Sequence, residues 1–517
     1  MPRRTVAILL AVLLSLSGCT VRTVQQVPAA SPPSLSGQQM IVRVTTIKGE
    51  DLQFDPPGAT IKDGTVSGVF KKGPVSVPLD QVQRFWVQTT QVSTARTVGL
   101  VAGLTAAVVV IAVVAVEATK KSVGGPTSTT PCTGASCTGV GSCPYVYSWD
   151  GTRYVFEAEP YGGAIARGLE KDDVSELGQL KEEDGRYKLR MTNEVDETQM
   201  TNLTELWVVD HPAGTRVVPD VDGKLHTVSA PQNLLSAHDA EGHDLLPWLR
   251  STDHLIWEPP AVADASGNLQ GDIIMTFPKP AGATQVKLVA NATTGLWGSM
   301  MIKKIVGLRG RDTGMFYFAL NHSKSVRKQL TDWEEREELY RLKVYVEEPG
   351  GWKVRGILPG TGTFNSMDRI LPLDVSHVQG DQLRIRIHPT AGFWALNSFS
   401  VDYSPDRPVS VQKVRPATAQ DLQGRDVLPD LAAVDGRYLA MPNIGDSADI
   451  TFAAPAARAG TDRSVFLHSR GYYKLHVSGK GAPDTATLKA IDKVPGSAAR
   501  FAAAQYASSQ VAMRQAP

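Results

Sequence analysis

Nineteen consecutive residues, Val98 to Val116, carry no charge and a single polar side chain, Thr105. A Val-rich run can be a buried core segment, but this length favours a membrane helix over residues 97–117. At 1.5 Å per residue such a helix crosses the hydrocarbon core of a bilayer. Gly99, Gly103 and Ala107 fall four apart and give it one face of small residues, where a second helix could approach closely in an oligomer. Arg96 on one side and Lys120 with Lys121 on the other leave its orientation open. The run divides a 517-residue chain into a short amino-terminal part and a long carboxyl-terminal one.

The amino end carries a second membrane signal. Arg3 and Arg4 precede the apolar stretch Val6 to Leu14, too short to span a bilayer but suited to a signal peptide. Leu16-Ser17-Gly18-Cys19 follows. This run resembles the lipobox of bacterial lipoproteins, a likeness confined to about the first twenty residues. It implies removal of residues 1–18 and a lipid on Cys19. Thr20, in place of Asp, resembles the sorting class sent to the outer membrane of Gram-negative cells. The resemblance therefore implies a cell-envelope address, the outer membrane ahead of the inner. With a lipid on Cys19 and a spanning helix at 98–116, residues 118–517 would lie outside the cell or in the cytoplasm. If that helix only packs on partners, they would stay in the periplasm.

Charge excludes one class of partner. The 53 Lys+Arg and 52 Asp+Glu nearly cancel, without the basic excess that nucleic-acid binding needs. Four cysteines rule out a scaffold built on disulfides. Cys132, Cys137 and Cys143 sit in or at the end of a Gly/Ser/Thr/Pro linker, 118–142, and their spacing lacks the C-x2-C ends of a zinc site. The expectation is one small-loop disulfide among them in an oxidising compartment, with no metal and no cofactor.

The remaining pattern is mainly β. Residues 19–38 have the Pro/Ser/Gln composition of a flexible tether. Residues 39–92 alternate over five short stretches (Ile41–Val44, Leu52–Phe54, Ala59–Phe70, Val75–Leu79, Val82–Val87), which predicts a small barrel. It resembles SH3-like and Sm-like barrels in strand count and spacing. Phe85 and Trp86 are adjacent, so one faces the core and the other a surface. Beyond 142, Tyr145–Trp149, Asp150-Gly151 and Arg153–Phe156 spell a hairpin with a type I′ turn. Further short strands predict β-sandwich or jelly-roll domains. Helices are expected near Ser299–Leu308 and Ser323–Leu339, the second with Val326, Leu330 and Trp333 on one face. The divisions are 143–297, 298–380 with a helical insertion, 381–477, and a tail at 478–517 with a short helix. The middle division, through Trp352 and Leu371-Pro372-Leu373-Asp374, together with Gly392-Phe393-Trp394 just beyond it, resembles galactose-binding-like jelly rolls.

Two stretches match without gaps. Ala237, Asp239, Gly242, Asp244, Leu246, Pro247 and Leu249 recur as Ala419, Asp421, Gly424, Asp426, Leu428, Pro429 and Leu431. Val209-Asp210 precedes the first and Val401-Asp402 the second, which indicates a duplicated β unit at about 187–297 and 381–477. The duplication decides the most tempting metal cluster, His238, Asp239, His243 and Asp244. The second copy replaces both histidines, by Gln420 and Arg425, and keeps the aspartates and the glycine, so the shared content is turn chemistry. Asp172-Asp173, Glu182-Glu183-Asp184 and Glu334-Glu335 read as solvated faces. Glu157 and Glu159, two apart, would share a strand face as a carboxylate pair. No G-x-S-x-G elbow and no G-x-x-x-x-G-K-[ST] loop occurs.

Cys143-Pro144-Tyr145, Glu159-Pro160-Tyr161-Gly162-Gly163, Thr192-Asn193-Glu194 and Val209-Asp210-His211-Pro212-Ala213-Gly214 resemble β-rich tails that follow tetratricopeptide or FG-GAP repeats in exported bacterial proteins. Those tails have no assigned activity, so the resemblance implies an adhesion or scaffold module. Two expectations follow. The first is a non-enzymatic envelope lipoprotein whose sandwiches bind a protein or glycan through Trp and Tyr. The alternative is a carbohydrate-active hydrolase, which needs two carboxyl groups ~5–9 Å apart across an aromatic-lined cleft.

Overall fold

The structure, a computed structural model, describes residues 20–28, 39–47, 51–55, 58–62, 64–70, 73–92, 143–253, 256–259 and 269–515. Cys19, the run Val98–Val116 with Gly99, Gly103 and Ala107, and Cys132 and Cys137 lie outside the described residues. Among the described residues no helix is long and apolar enough to cross a membrane. The chain forms two units, Met1–Ala118 and Thr119–Pro517.

Among its described residues the first unit has seven strands: β1 (Thr20–Pro28), β2 (Gln39–Thr46), β3 (Asp51–Gln53), β4 (Thr60–Lys62), β5 (Thr65–Phe70), β6 (Gly73–Pro78) and β7 (Val82–Val92). They make two sheets, β1-β7-β2-β3 and β4-β5-β6. Ile41, Val44, Phe54, Val66, Val77 and Phe85 form one core between them. Residues 20–28, expected in the tether, instead pair along β7 from Thr20↔Val92 to Pro28↔Arg84. The reason is local composition: Thr20, Val21, Thr23, Val24 and Val27 are β-branched and suit an edge strand. Ala59–Phe70 is two strands, because Gly64 turns the chain at φ +72°.

The second unit begins β8 (Tyr145–Trp149), β9 (Tyr154–Ala158), β10 (Lys171–Glu176), β11 (Arg186–Thr192) and β12 (Glu197–Pro212). A hairpin, β13 (Arg216–Pro219) and β14 (Leu225–Val228), follows. Next come β15 (Gln232–Asn233), β16 (Ser236–Asp239), helix α1 (Leu246–Leu249), β17 (Ile273–Pro278) and β18 (Gln285–Thr294). Three helices interrupt, α2 (Leu296–Gly307), α3 (Thr313–His322) and α4 (Lys324–Glu337). The strands resume as β19 (Arg341–Glu348), β20 (Gly351–Pro359), β21 (Asp368–Asp374), β22 (Gln382–Ile387) and β23 (Trp394–Asp402). The last are β24 (Ser410–Val414), β25 (Pro416–Asp421), helix α5 (Leu428–Leu431), β26 (Leu439–Met441), β27 (Ser447–Ala453) and β28 (Thr461–Leu475). Helices α6 (Thr485–Lys493) and α7 (Ser497–Gln515) close the described chain.

Sheet order shows how the duplication is built. β25-β27-β11-β8-β9 is matched, position by position, by β16-β17-β22-β19-β20. Likewise β10-β28-β12-β24 is matched by β21-β18-β23-β15. Each sandwich therefore combines the first half of one copy with the second half of the other. One is split in sequence (β8–β12 with β24–β28), and the other, β15 to β23, is inserted within it. The repeated unit begins at β8 and at β19, earlier than the 187 and 381 expected from sequence. The sequential divisions at 297 and 380 fall inside the inserted sandwich, whose core runs from Leu234 and Phe277 through Val344 to Ile385 and Phe399. The split sandwich encloses Leu189, Met191, Leu206, Ile450, Phe452 and Leu467.

Alternation explains the faces. In β11 Tyr187, Leu189 and Met191 turn inward, and Lys188 and Arg190 turn outward. In β22 Leu383, Ile385 and Ile387 turn inward, and Arg384 and Arg386 outward. The β13–β14 hairpin links the two cores. Val217 packs with Val209 and Phe466 of the split sandwich, and its neighbour Val218 with Val289 and Ile370 of the inserted one. His226 pins this hairpin, its Nδ1 2.7 Å from Asp406 Oδ2 and its Nε2 3.0 Å from Asp220 Oδ2.

The helices close the ends. Ser323 caps α4 by accepting the Val326 N–H, and Val326, Leu330 and Trp333 all pack inward. A Cβ on Gly298 would stand 2.9 Å from Phe393 Cα, so glycine is what lets α2 lie on the turn that leads into β23. The tail is more than one short helix: Ile491 of α6 and Ala498 and Ala502 of α7 complete the inserted core. The indole N–H groups of Trp333 and Trp297 donate to the Ile491 and Ala502 carbonyls.

Candidate functional site

The outer faces of the two matched five-stranded sheets carry aromatic and cationic side chains at the same register positions. In the split sandwich Tyr147 is opposite Arg190 on β11 and Phe156 on β9, and Trp149 is opposite Tyr154. In the inserted one Tyr345 is opposite Arg386 on β22 and Val354 on β20, and Glu347 is opposite Trp352. Tyr147 thus corresponds to Tyr345, Arg190 to Arg386, and Tyr154 to Trp352. The contact between the last two is repeated. The Arg190 guanidinium lies 4.5 Å from the Tyr154 ring centroid, and that of Arg386 lies 4.7 Å from the Trp352 ring.

Neighbours extend each face. Lys188 lies over Trp149, and Tyr147 meets Phe156 edge-on. On the other sheet Arg384 lies over Trp352, and His388 stacks on Tyr345 at 4.7 Å. The guanidinium groups are largely matched by carboxylates. Arg190 holds Asp449 through two bonds of 2.6 and 2.9 Å, and Arg384 holds Glu347 at 2.5 Å. Each face therefore offers flat rings beside fixed donors and acceptors, with little net charge. The rings are half-buried and reach solvent.

The carboxylates singled out in the sequence have other work. Glu157 sits at a β-bulge, where Ala158 is opposite Val146 and Phe156 opposite Tyr147. Its Oε1 accepts the Gln179 N–H at 2.7 Å. Glu159 Oε2 accepts the N–H groups of Phe364 at 2.5 Å and Asn365 at 3.3 Å, tying the β20–β21 loop to the split sandwich. Both are buried. Burial raises the Glu157 carboxyl and pushes that of Glu159 up to about 8, against the amides of Phe364, Asn365 and Thr363. The two groups serve different loops, 178–179 and 363–365.

The matched turns agree in detail. Asp239 Oδ1 accepts the N–H groups of Glu241 and His243, and Asp421 Oδ1 those of Gln423 and Arg425. Asp244 and Asp426 cap the Leu246 and Leu428 N–H groups. Gly242 and Gly424 take φ +83° and +75°. Ligand atoms of Asp239, Glu241 and His243 do come within 4.8 Å of one another. Arg425 replaces His243 on the same aspartate oxygen, however, so the geometry needs no ion. Cys143 is fully buried, and its N–H donates to Glu197 Oε1 at 2.8 Å.

Sequence reasoning found the aromatic hairpin at 145–156 but missed its pairing with Lys188 and Arg190. It also missed the cavity lined by Asp196, Glu197, Lys303 and His476. The arginines alternate with Leu and Ile in β11 and β22, a signal that marks an outward cationic row without naming its partner strand.

No family model matches the chain, and no curated protein does. A solved structure, titled "Single-Particle Cryo-EM Structure of Arabinofuranosyltransferase AftD from Mycobacteria", aligns with 89% of this chain at 11% identity and a TM-score of 0.16. The chain spans 32% of that protein's length, and a superposition so poor carries no argument about either fold or function.

Proposed function

We propose that this chain is a lipid-anchored protein of the bacterial cell envelope that binds a glycan on its two aromatic sheet faces and catalyses no reaction. The lipobox-like Leu16-Ser17-Gly18-Cys19 and the run Val98–Val116 support the membrane attachment. In this reading the first unit is the small barrel, residues 97–117 are a second anchor, and the sandwiches bind. The observation that carries the binding is the repeated contact of Arg190 with Tyr154 and of Arg386 with Trp352. Sugar rings present apolar C–H faces that lie on aromatic rings, and vicinal hydroxyls fit paired guanidinium and carboxylate groups. A hydrolase is the weaker reading, because Glu157 and Glu159 each give one oxygen to the backbone amides of a different loop and do not act as a pair.

The test is affinity electrophoresis of the full-length chain through gels containing bacterial envelope polysaccharide. Retardation that falls in Tyr154→Ala and in Trp352→Ala is the expected result. Equal mobility with and without polysaccharide would remove the glycan, and capture of a protein through the same residues would put a protein partner in its place. Release of reducing sugar, lost in Glu159→Gln, would restore the hydrolase.

A further inference from the structure

A cavity of about 390 Å³ lies apart from both sheet faces, between the start of β12, the end of β28 and α2. Glu197 lines it and is 1% exposed. Its Oε1 accepts the N–H of Cys143 at 2.8 Å and the Gln199 Nε2–H at 3.1 Å. Its Oε2 has no hydrogen-bond partner among the described residues, and neither has Oγ of Ser299, a second lining residue that is 5% exposed. Two buried polar atoms left unmatched in residues that line one cavity are costly unless a bonding group reaches them.

The lining says what would enter. Asp196 and Lys303 neutralise each other at 2.6 Å, and Asp196 Oδ1 also meets His476 Nδ1 at 2.9 Å. Burial pushes the Glu197 carboxyl up to about 8, which favours its protonated form near neutral pH. Lys304 has no ion pair among the described residues, which leaves the wall net positive. The apolar part is aliphatic, Val195, Met300, Leu475 and Val477, with no Trp, Tyr or Phe ring for a sugar to stack on. The volume is that of a small-molecule site.

We propose that this cavity binds a small aliphatic carboxylate, held by the unpartnered groups of Glu197 and Ser299 beside Lys304 while its alkyl chain lies on Val195, Met300 and Leu475. The site is independent of the glycan reading. The experiment titrates hexanoate into the full-length chain in lipid nanodiscs by calorimetry, with empty nanodiscs as the blank and hexanol and hexylamine as probes of equal length. Hexanoate is expected to bind one per chain, and the alcohol and amine to bind at least tenfold more weakly. Lys304 is exposed, so Lys304→Ala should fold as the parent does and lose about tenfold in affinity for hexanoate, with unchanged retardation by polysaccharide. Glu197→Gln should lose affinity as well; should it fail to fold, Lys304→Ala decides. No heat from hexanoate, equal binding of hexylamine, or undiminished affinity in Lys304→Ala overturns the proposal.

Discussion

The Arg386 guanidinium lies 4.7 Å from the centre of the Trp352 ring, and Arg190 repeats the contact on Tyr154 across the duplication. Two copies of one contact on two sandwiches predict two equivalents of ligand per chain. Arg386→Lys keeps the charge and loses the planar fork that stacks and bonds in pairs. It should abolish one equivalent in a calorimetric titration with envelope oligosaccharide and leave the other intact. Arg190→Lys should do the same at the other face, and the double variant should bind none. An unchanged stoichiometry in all three would separate these arginines from binding.

Stability should fall as pH rises through neutrality. Burial pushes the carboxyls of Glu159 and Glu197 up to about 8 from about 4.5. Below about 4.5 folded and unfolded chains both hold these protons, and the contribution is complete. Between about 4.5 and about 8 only the folded chain holds them, so each group lowers stability by about 1.4 kcal/mol per pH unit. Above that range the loss is complete. Thermal unfolding from about pH 5 to about pH 9 should show a falling Tm, and Glu159→Gln should flatten the fall by one proton's worth. A Tm that rises over this range would contradict both assignments.

Arg463 and Asp210 test the split sandwich directly. The guanidinium binds the carboxylate through bonds of 2.7 and 3.0 Å, and Asp210 is 3% exposed on β12. Arg463→Met strands that charge inside the molecule, at a cost of about 3–5 kcal/mol. Pairing Arg463→Met with Asp210→Leu should recover most of the loss, because no unpaired charge then remains. Urea unfolding of the three variants reads this directly, and equal stability of single and double variants would show that the pair is not what matters.

What could be read from the sequence was local, and what could not was a choice between equivalents. Asp239 and Asp421 bond backbone amides within four residues of themselves, so their turns are written in a few letters. The inward rows Leu189 with Met191 and Ile385 with Ile387 were equally legible as strands. Either row satisfies β17 or β27 by hydrophobicity alone, so nothing in the pattern tells that β11 pairs with β27 and β22 with β17. Glu197 and Lys303 face one cavity only because that exchange carries β12 to β28, and α2 follows β18. The strand at 20–28 was hidden differently: its two glutamines and its proline read as tether, while its β-branched residues supply an edge.

The matched turns give the last prediction. In the first copy Asp239, Glu241 and His243 bring their ligand atoms together as a divalent ion would require. The second copy builds the same loop with Arg425 where the first has His243, and a guanidinium does not ligate a cation. If the loop is held by Asp-to-amide bonds alone, zinc, calcium and chelator should each leave the Tm unchanged. Asp239→Ala and Asp421→Ala should each lower it by a few degrees, through loss of the two amides that each carboxylate holds. His243→Arg copies the second turn into the first and should be neutral. A Tm raised by zinc in the parent chain and not in His243→Arg would make the first turn a metal site after all.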